Sequence, residues 1–160
     1  MDFHFEQVIP ADRGRVFDFH EDPGRLSALS EGMPGFRLVG HEGHIRPGAV
    51  TRVEVRVGPL SVALHNRHFL YDPPHRFGDR QVRGPFAEFR HVHSFEEMRG
   101  QGEAGGTLLR DDLEVRLPWW MGGEIAMRLF VAPRLRAYFE LRRAAYARLA
   151  AAGAFGPPTG

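Results

Sequence analysis

The chain has 160 residues, 42% of them hydrophobic, a mean hydropathy of −0.33 and a formal net charge of +1. That size and balance fit one globular domain with a real core, and leave no global attraction to nucleic acid or to an anionic membrane. Cysteine is absent, which excludes disulfides, thiolate catalysis and cysteine-ligated zinc.

The first residues, from Met1 into FHFEQVI, read as a strand and not as a signal peptide. Phe3, Phe5, Gln7 and Ile9 share one face of it. Pro10 ends it, and Ala11 to His20 form a short helix with Asp12 as N-cap and Val16, Phe17 and His20 at helical spacing. Pro23 starts a second short helix carrying Leu26 and Leu29, broken by Gly32, Pro34 and Gly35. Strands follow over Phe36 to His41, Val50 to Val57, Leu60 to Tyr71, Phe77 to Arg83, Phe86 to Glu96 and Leu108 to Leu117. Gly58-Pro59 and Gly84-Pro85 mark turns, and the stretch from Gly100 to Gly106 reads as a flexible hairpin loop.

Trp119 and Trp120 open the last segment, either as a packed helix entry or as the mouth of a cavity; two adjacent indoles do not both fit one side of an extended backbone, so one is expected to be exposed or at the mouth. From about Gly123 to Ala152 the pattern is helical, with Ile125, Leu129, Ala132, Leu135, Phe139 and Tyr146 along one stripe. Pro133 predicts a kink in it. Residues 1–152 make one domain, and 153–160 are expected to fray as a tail. No apolar run approaches the about 18 residues of a membrane span, and all 21 basic residues are arginine. The expectation is a cytoplasmic protein, monomer or homodimer, with neither nucleic acid nor stable membrane insertion among its contacts.

The segment from Phe77 to Leu117 is the most informative. Alternation places Phe77, Asp79 and Gln81 on one face of their strand, Phe89, His91, His93 and Phe95 on one face of the next, and Leu109, Asp111, Leu113 and Val115 on one face of the last. The apolar members mark these faces as inner, yet each also carries groups that are costly to bury alone. Asn66 and His68 join them if Val62, Leu64 and Leu70 set the inner face of their strand. Such a polar patch on a greasy concave sheet points to a pocket. His91, His93 and Asp111 admit three readings: a buried network that fixes register, anchors or acid–base groups for a ligand, or two imidazoles and a carboxylate around a metal.

The order of elements, with Phe77, Asp79, Gln81, Gly84-Pro85-Phe86, His91, His93, Phe95, Gly106-Thr107, Asp111, Leu117-Pro118 and the helix from Arg128 to Leu149, resembles the Bet v 1-like superfamily, also called START or SRPBCC. Within it, the chain is similar to the bacterial polyketide cyclase/dehydrase-like group. It departs from that group in lacking a tryptophan in LSVALHN and in AEF. The resemblance implies an α+β helix-grip fold: a curved antiparallel sheet of six or seven strands wrapped on a long C-terminal helix, two short helices after the first strand, and a hydrophobic cavity between sheet and helix.

The expected function is binding of a small hydrophobic or amphipathic ligand of lipid, polyketide or aromatic type. Asn66, His68, Asp79, Gln81, His91, His93, Asp111, Trp119, Trp120, Leu129 and Phe139 would line the cavity. The alternative is a cyclase/dehydratase-like enzyme in which His91 or His93 moves protons and Asp111 orients it. A metal-assisted version at His91 and His93 is a lower alternative, and no cofactor is otherwise expected. The helix arginines Arg128, Arg134, Arg136, Arg142, Arg143 and Arg148 read as a solvated face, with a weak contact surface for anionic lipid or a partner protein as the alternative.

Overall fold

The computed structural model describes residues 1–30, 35–42, 44–57, 60–98 and 105–156. The elements are β1 (Asp2–Ile9), α1 (Arg13–Glu21), α2 (Pro23–Ser30), β2 (Phe36–Glu42), β3 (Val50–Val57), β4 (Leu60–Asp72), β5 (Arg76–Arg83), β6 (Glu88–Met98), β7 (Gly106–Arg116) and a C-terminal helical segment. The seven strands form one antiparallel sheet in the order β1-β7-β6-β5-β4-β3-β2. Strands that follow one another pair from β2 to β7, and β1 closes on β7. The α1–α2 pair therefore spans the sheet between its two edge strands. Much of the loop expected between β6 and β7, the Gly58-Pro59 turn and most of the Gly32–Gly35 breaker lie outside the described residues.

Local chemistry fixes the connections that matter for the interior. Asp12 Oδ1 accepts from the Arg15 amide at 3.2 Å and so caps α1. Thr107, fully buried on β7, donates its hydroxyl to the Ala11 carbonyl at 2.7 Å and ties the start of α1 to the sheet. An Asp12→Ala variant loses about 1 kcal/mol of stability by urea unfolding; a change within 0.3 kcal/mol, on the order of a neutral surface substitution, would show that the cap is idle.

The C-terminal segment is not one uninterrupted α-helix. A 3₁₀ turn (Trp119–Met121) leads into a single α-turn, α3 (Gly123–Ala126), then a π-helical turn (Met127–Val131), and only then the long helix α4 (Ala132–Ala151). The expected kink at Pro133 becomes a π-turn just ahead of it, leaving Pro133 in the first turn of α4, where its missing amide is harmless. The Arg134 guanidinium donates to the Phe130 carbonyl at 2.8 Å beside this fault. The extra residue in the turn shifts the apolar stripe. Ala132, Phe139, Ala145 and Tyr146 are buried on α4, but the next buried residue back is Met127, five positions before Ala132. Ile125 and Leu129, which a continuous helix would bury, are exposed. No helix among the described residues is long and apolar enough to cross a membrane.

The first part of the expected tail packs on the core instead of fraying, and residues 157–160 lie outside the described residues. Phe155 is buried, its ring 4.9 Å from Phe19 and 6.4 Å from Tyr146, so the chain folds back after Gly153 before leaving the described region. The left-handed φ of +74° at Gly153 allows that reversal.

Candidate functional site

Two rows of residues cross the inner face of the sheet. In one, His68 of β4 faces Asp79 of β5, Asp79 faces His91 of β6, His91 faces Leu113 of β7, and Leu113 faces Phe3 of β1. In the next, Tyr71, Phe77, His93, Asp111 and Phe5 follow the same path. Opposed residues in an antiparallel pair share a face, so the period-2 pattern of each strand brings His68, Asp79, His91, His93 and Asp111 together. All five are buried.

The apolar core around them is divided. One cluster contains Ile9, Val16, Phe17, Phe19, Leu29, Ile45, Phe77, Phe95, Leu109, Ala145, Tyr146 and Phe155. The other contains Phe3, Leu113, Val115, Met127, Ala132 and Phe139. Along β7 the sequence steps from Leu109 in the first cluster through Asp111 to Leu113 and Val115 in the second. Along β6 it steps from Phe95 through His93 and His91 to Phe89, and along α4 from Tyr146 through Arg142 to Phe139. The polar residues thus form a belt across the sheet–helix interface, with an apolar cluster on either side.

Asp111 is the hub of that belt, at 1% exposure. Its Oδ1 accepts from His91 Nε2 at 2.9 Å, lies 2.5 Å from His93 Nδ1, and lies 3.5 Å from Arg142 Nη1. The His93 contact lies off the line of a good hydrogen bond. Arg142 also donates to the Tyr146 hydroxyl at 3.0 Å, and that hydroxyl is bonded to His20 Nε2. His20 Nδ1 in turn donates to the Val16 carbonyl at 2.7 Å. The belt therefore runs from the sheet through α4 into α1.

No protein-family model matches the sequence, and no curated protein matches it. Solved structures do. A protein of Thermus thermophilus aligns over 96% of this chain and 99% of its own, at 19% identity and a TM-score of 0.68. A START superfamily protein from Mycobacterium smegmatis aligns over 92% of this chain and 98% of its own, at 15% identity and a TM-score of 0.65. A Thalictrum flavum norcoclaurine synthase point mutant, in complex with a transition-state analogue, aligns over 92% and 94%, at 15% identity and a TM-score of 0.63. The fold is the Bet v 1/START-like helix grip.

Placed on the helix-grip fold, the residues expected from sequence separate into three groups. His68, Asp79, His91, His93 and Asp111 come together in the belt, and Phe139 of α4 packs beside them, its ring 4.0 Å from Phe5 and 6.0 Å from His91. Asn66 joins from β4, near enough to Asp79 to favour its charged form. Gln81 does not join. It has the right parity, but its Nε2 donates to the Phe86 carbonyl at 2.8 Å and its Oε1 accepts from the Phe86 amide, closing the β5–β6 turn. A Cβ on Gly84 would collide with that amide, which is why glycine stands there.

Trp119, Trp120 and Leu129 lie on the surface of the helix grip, at 87%, 68% and 64% exposure. The 3₁₀ turn holds both indoles outward and the π-turn rotates Leu129 away from the sheet, so these three are corrected from the interior to the outside. Arg142 is the converse correction: it is buried in the belt, not solvated with the other helix arginines. Its spacing of three from Phe139 and four from Tyr146 put it on the apolar stripe, which is the signal that identifies it. His20, read as part of the α1 stripe, is a further member of the network.

Burial and neighbouring charge set the protonation pattern. Burial pushes the Asp111 carboxyl upward, but Arg142 and the close His93, with the hydrogen bond from His91, outweigh it and hold the group well below the usual carboxylate range. Burial, then the Arg142 charge, lowers His20 to about 4. Burial, with His41 and His91 nearby, lowers His68 to about 4. His93 is likewise held well below its ordinary value, by burial and by His91. Asp79 moves the other way, pushed up by burial against the pull of His91, Asn66 and Arg142. The belt near neutral pH thus holds one firm ion pair, Asp111–Arg142, with neutral imidazoles at His20, His68 and His93.

Some of the belt is unfinished. Among the described residues, Asp79 Oδ1, Asn66 Oδ1 and His68 Nδ1 are buried without a hydrogen-bond partner. Buried polar atoms in native proteins are ordinarily paired.

Proposed function

We propose that the chain binds a small amphipathic organic molecule between the sheet and α4, with its polar end on the belt and its apolar part against Phe5, Tyr138 and Phe139. The observation that carries this reading is the set of buried polar atoms on Asp79, Asn66 and His68, the first two of them oxygens, that no described protein group satisfies. They stand beside an aromatic wall on the side of the sheet that α4 covers. A hydroxyl or phenol from a ligand supplies the missing donor, and burial of its apolar part supplies the affinity. A neighbour of the same fold solved with a transition-state analogue is in keeping with a small-molecule role. The ligand is of lipid, polyketide or aromatic type, met in the cytoplasm by a monomer or homodimer.

A second reading, proton transfer on an enolisable carbonyl in the manner of a cyclase or dehydratase, is favoured by one contact. The His91–Asp111 hydrogen bond at 2.9 Å fixes that imidazole and its tautomer.

Native mass spectrometry of the purified protein, followed by denaturing extraction and identification of small molecules, tests the binding reading. The expected result is one organic molecule per chain, lost from a His91→Ala/His93→Ala variant that remains folded. A bare mass, together with no saturable uptake of an apolar fluorescent probe, overturns it. If the double variant keeps ligand affinity within about threefold while turnover of an identified substrate falls by 10² or more, on the order of a general-base contribution, the catalytic reading replaces simple binding.

A further inference from the structure

We propose that Asp79, His91 and His93 form a site for a divalent first-row transition-metal ion of the zinc or iron(II) type, with Asp111 as the outer carboxylate that orients both imidazoles. The three residues come from paired strands, β5 and β6, and the register sets Asp79 directly opposite His91. Each offers one ligand atom, and these atoms all lie within 4.8 Å of one another. Tetrahedral bonds of about 2.0–2.1 Å separate ligand atoms by about 3.3 Å, so small side-chain rotations close the set.

Three features distinguish this cluster from an ordinary buried network. The first is the outer shell. Metal-binding histidines give their second ring nitrogen to a carboxylate, a carbonyl or a water; Asp111 Oδ1 accepts from Nε2 of His91 and lies 2.5 Å from Nδ1 of His93, which has no other hydrogen-bond partner among the described residues. The opposite nitrogens, Nδ1 of His91 and Nε2 of His93, are thereby left for an ion. The second is the inner carboxylate. Asp111 is committed to Arg142, whereas Asp79 Oδ1 is buried and has no hydrogen-bond partner among the described residues. The third residue of the ligand set is therefore Asp79, and not the Asp111 that alternation alone suggests. The third feature is room for further donors: His68 faces Asp79 across β4–β5, and its Nδ1 likewise has no partner among the described residues.

The donor set selects the kind of ion. Two imidazoles and one carboxylate suit zinc, iron(II) or cobalt(II), while magnesium and calcium prefer all-oxygen shells. The site occupies the same belt as the ligand reading but does not depend on any organic molecule.

The test is a titration of chelator-treated protein with Co²⁺, read by visible d–d absorption and by the melting temperature, followed by displacement with Zn²⁺. The expected result is one Co²⁺ per chain, a rise in melting temperature, and displacement by Zn²⁺. Asp79→Asn weakens binding at least about tenfold, and His4→Gln, which alters the surface His4–Asp112 pair, leaves it unchanged. If Asp79→Asn does not fold, His91→Gln takes its place. No saturable binding to the wild-type chain, or equal affinity in a folded belt variant, overturns the proposal. A failed titration in protein that still co-purifies with an organic molecule removes the metal and keeps the ligand; the reverse pattern does the opposite.

Discussion

Asp111→Ala lowers the unfolding free energy by about 3–5 kcal/mol, the loss typical of a broken buried ion pair. The carboxylate is 1% exposed and is the only acidic partner of Arg142 among the described residues; Arg142 is itself buried among Phe139, Tyr146 and the sheet. Removing it leaves a guanidinium in a region from which water is excluded, with Tyr146 as its remaining hydrogen-bond partner. It also strips His91 of the acceptor for Nε2. Arg142→Met removes the charge but leaves the buried carboxylate without its guanidinium, with a loss of similar size. The double variant Asp111→Leu/Arg142→Met recovers most of the stability, because neither charge is then stranded. Urea unfolding of the four proteins measures the cycle. Single losses below about 1 kcal/mol, the level of an exposed pair, or simple additivity in the double variant, would show that the pair is solvated and that the belt is not held by it.

Acidification is expected to weaken the chelator-treated protein between about pH 6.5 and pH 4. His20 and His68 are lowered from 6.5 to about 4 in the folded state, and His93 is lowered well below 6.5. In that window the unfolded chain binds protons at these imidazoles and the folded chain does not, so stability rises with pH. Their contribution is complete above about 6.5 and is lost as pH falls towards the folded values. For His20 and for His68 the upper bound is about 3 kcal/mol each, from roughly 1.4 kcal/mol per unit. Asp79 opposes the trend: its raised value means that it takes up a proton more readily when folded, which offsets part of the loss on the acid side. Asp111, held well below 3.8, stays ionised through the window and fails only at lower pH. Urea midpoints at pH 7.5, 5.5 and 4.5 give the slope, and His68→Gln reduces it. A flat profile would mean that the imidazoles are hydrated or already charged.

The sheet was largely legible in the sequence because β6 and β7, which carry most of the belt, alternate without interruption, whereas the register shifts in β4 between His68 and Leu70, so that Tyr71 and not Leu70 faces Phe77. Phe89, His91, His93 and Phe95 share parity, as do Leu109, Asp111, Leu113 and Val115, and each set reaches the interior in the structure. Parity does not say what a side chain bonds to once it is there. Gln81 has the inner parity and is captured by the turn at Phe86, a local competition that alternation cannot register. The helix was less legible. Pro133 signals a fault, but whether the chain answers with a bend or a wider turn depends on packing against the sheet, and the π-turn moves Ile125 and Leu129 outward while bringing Met127 in. Arginine on a helix is ordinarily solvated, which argues against a buried Arg142. Its place on the Phe139–Tyr146 stripe outweighs that habit, since Asp111 waits opposite.

The division of the core bears on how this fold changes over time. Among the described residues, Tyr138 packs against both apolar clusters; the two sets otherwise meet across charged and imidazole groups. Substitutions far apart and without shared partners act independently. The end built from Phe3, Val115, Met127 and Phe139 is therefore free to be remodelled, while the larger end, anchored by Phe17, Phe77, Phe95 and Tyr146, keeps the chain folded. The belt works as insulation: one half of the interior carries the fold, and the other half is left open to drift.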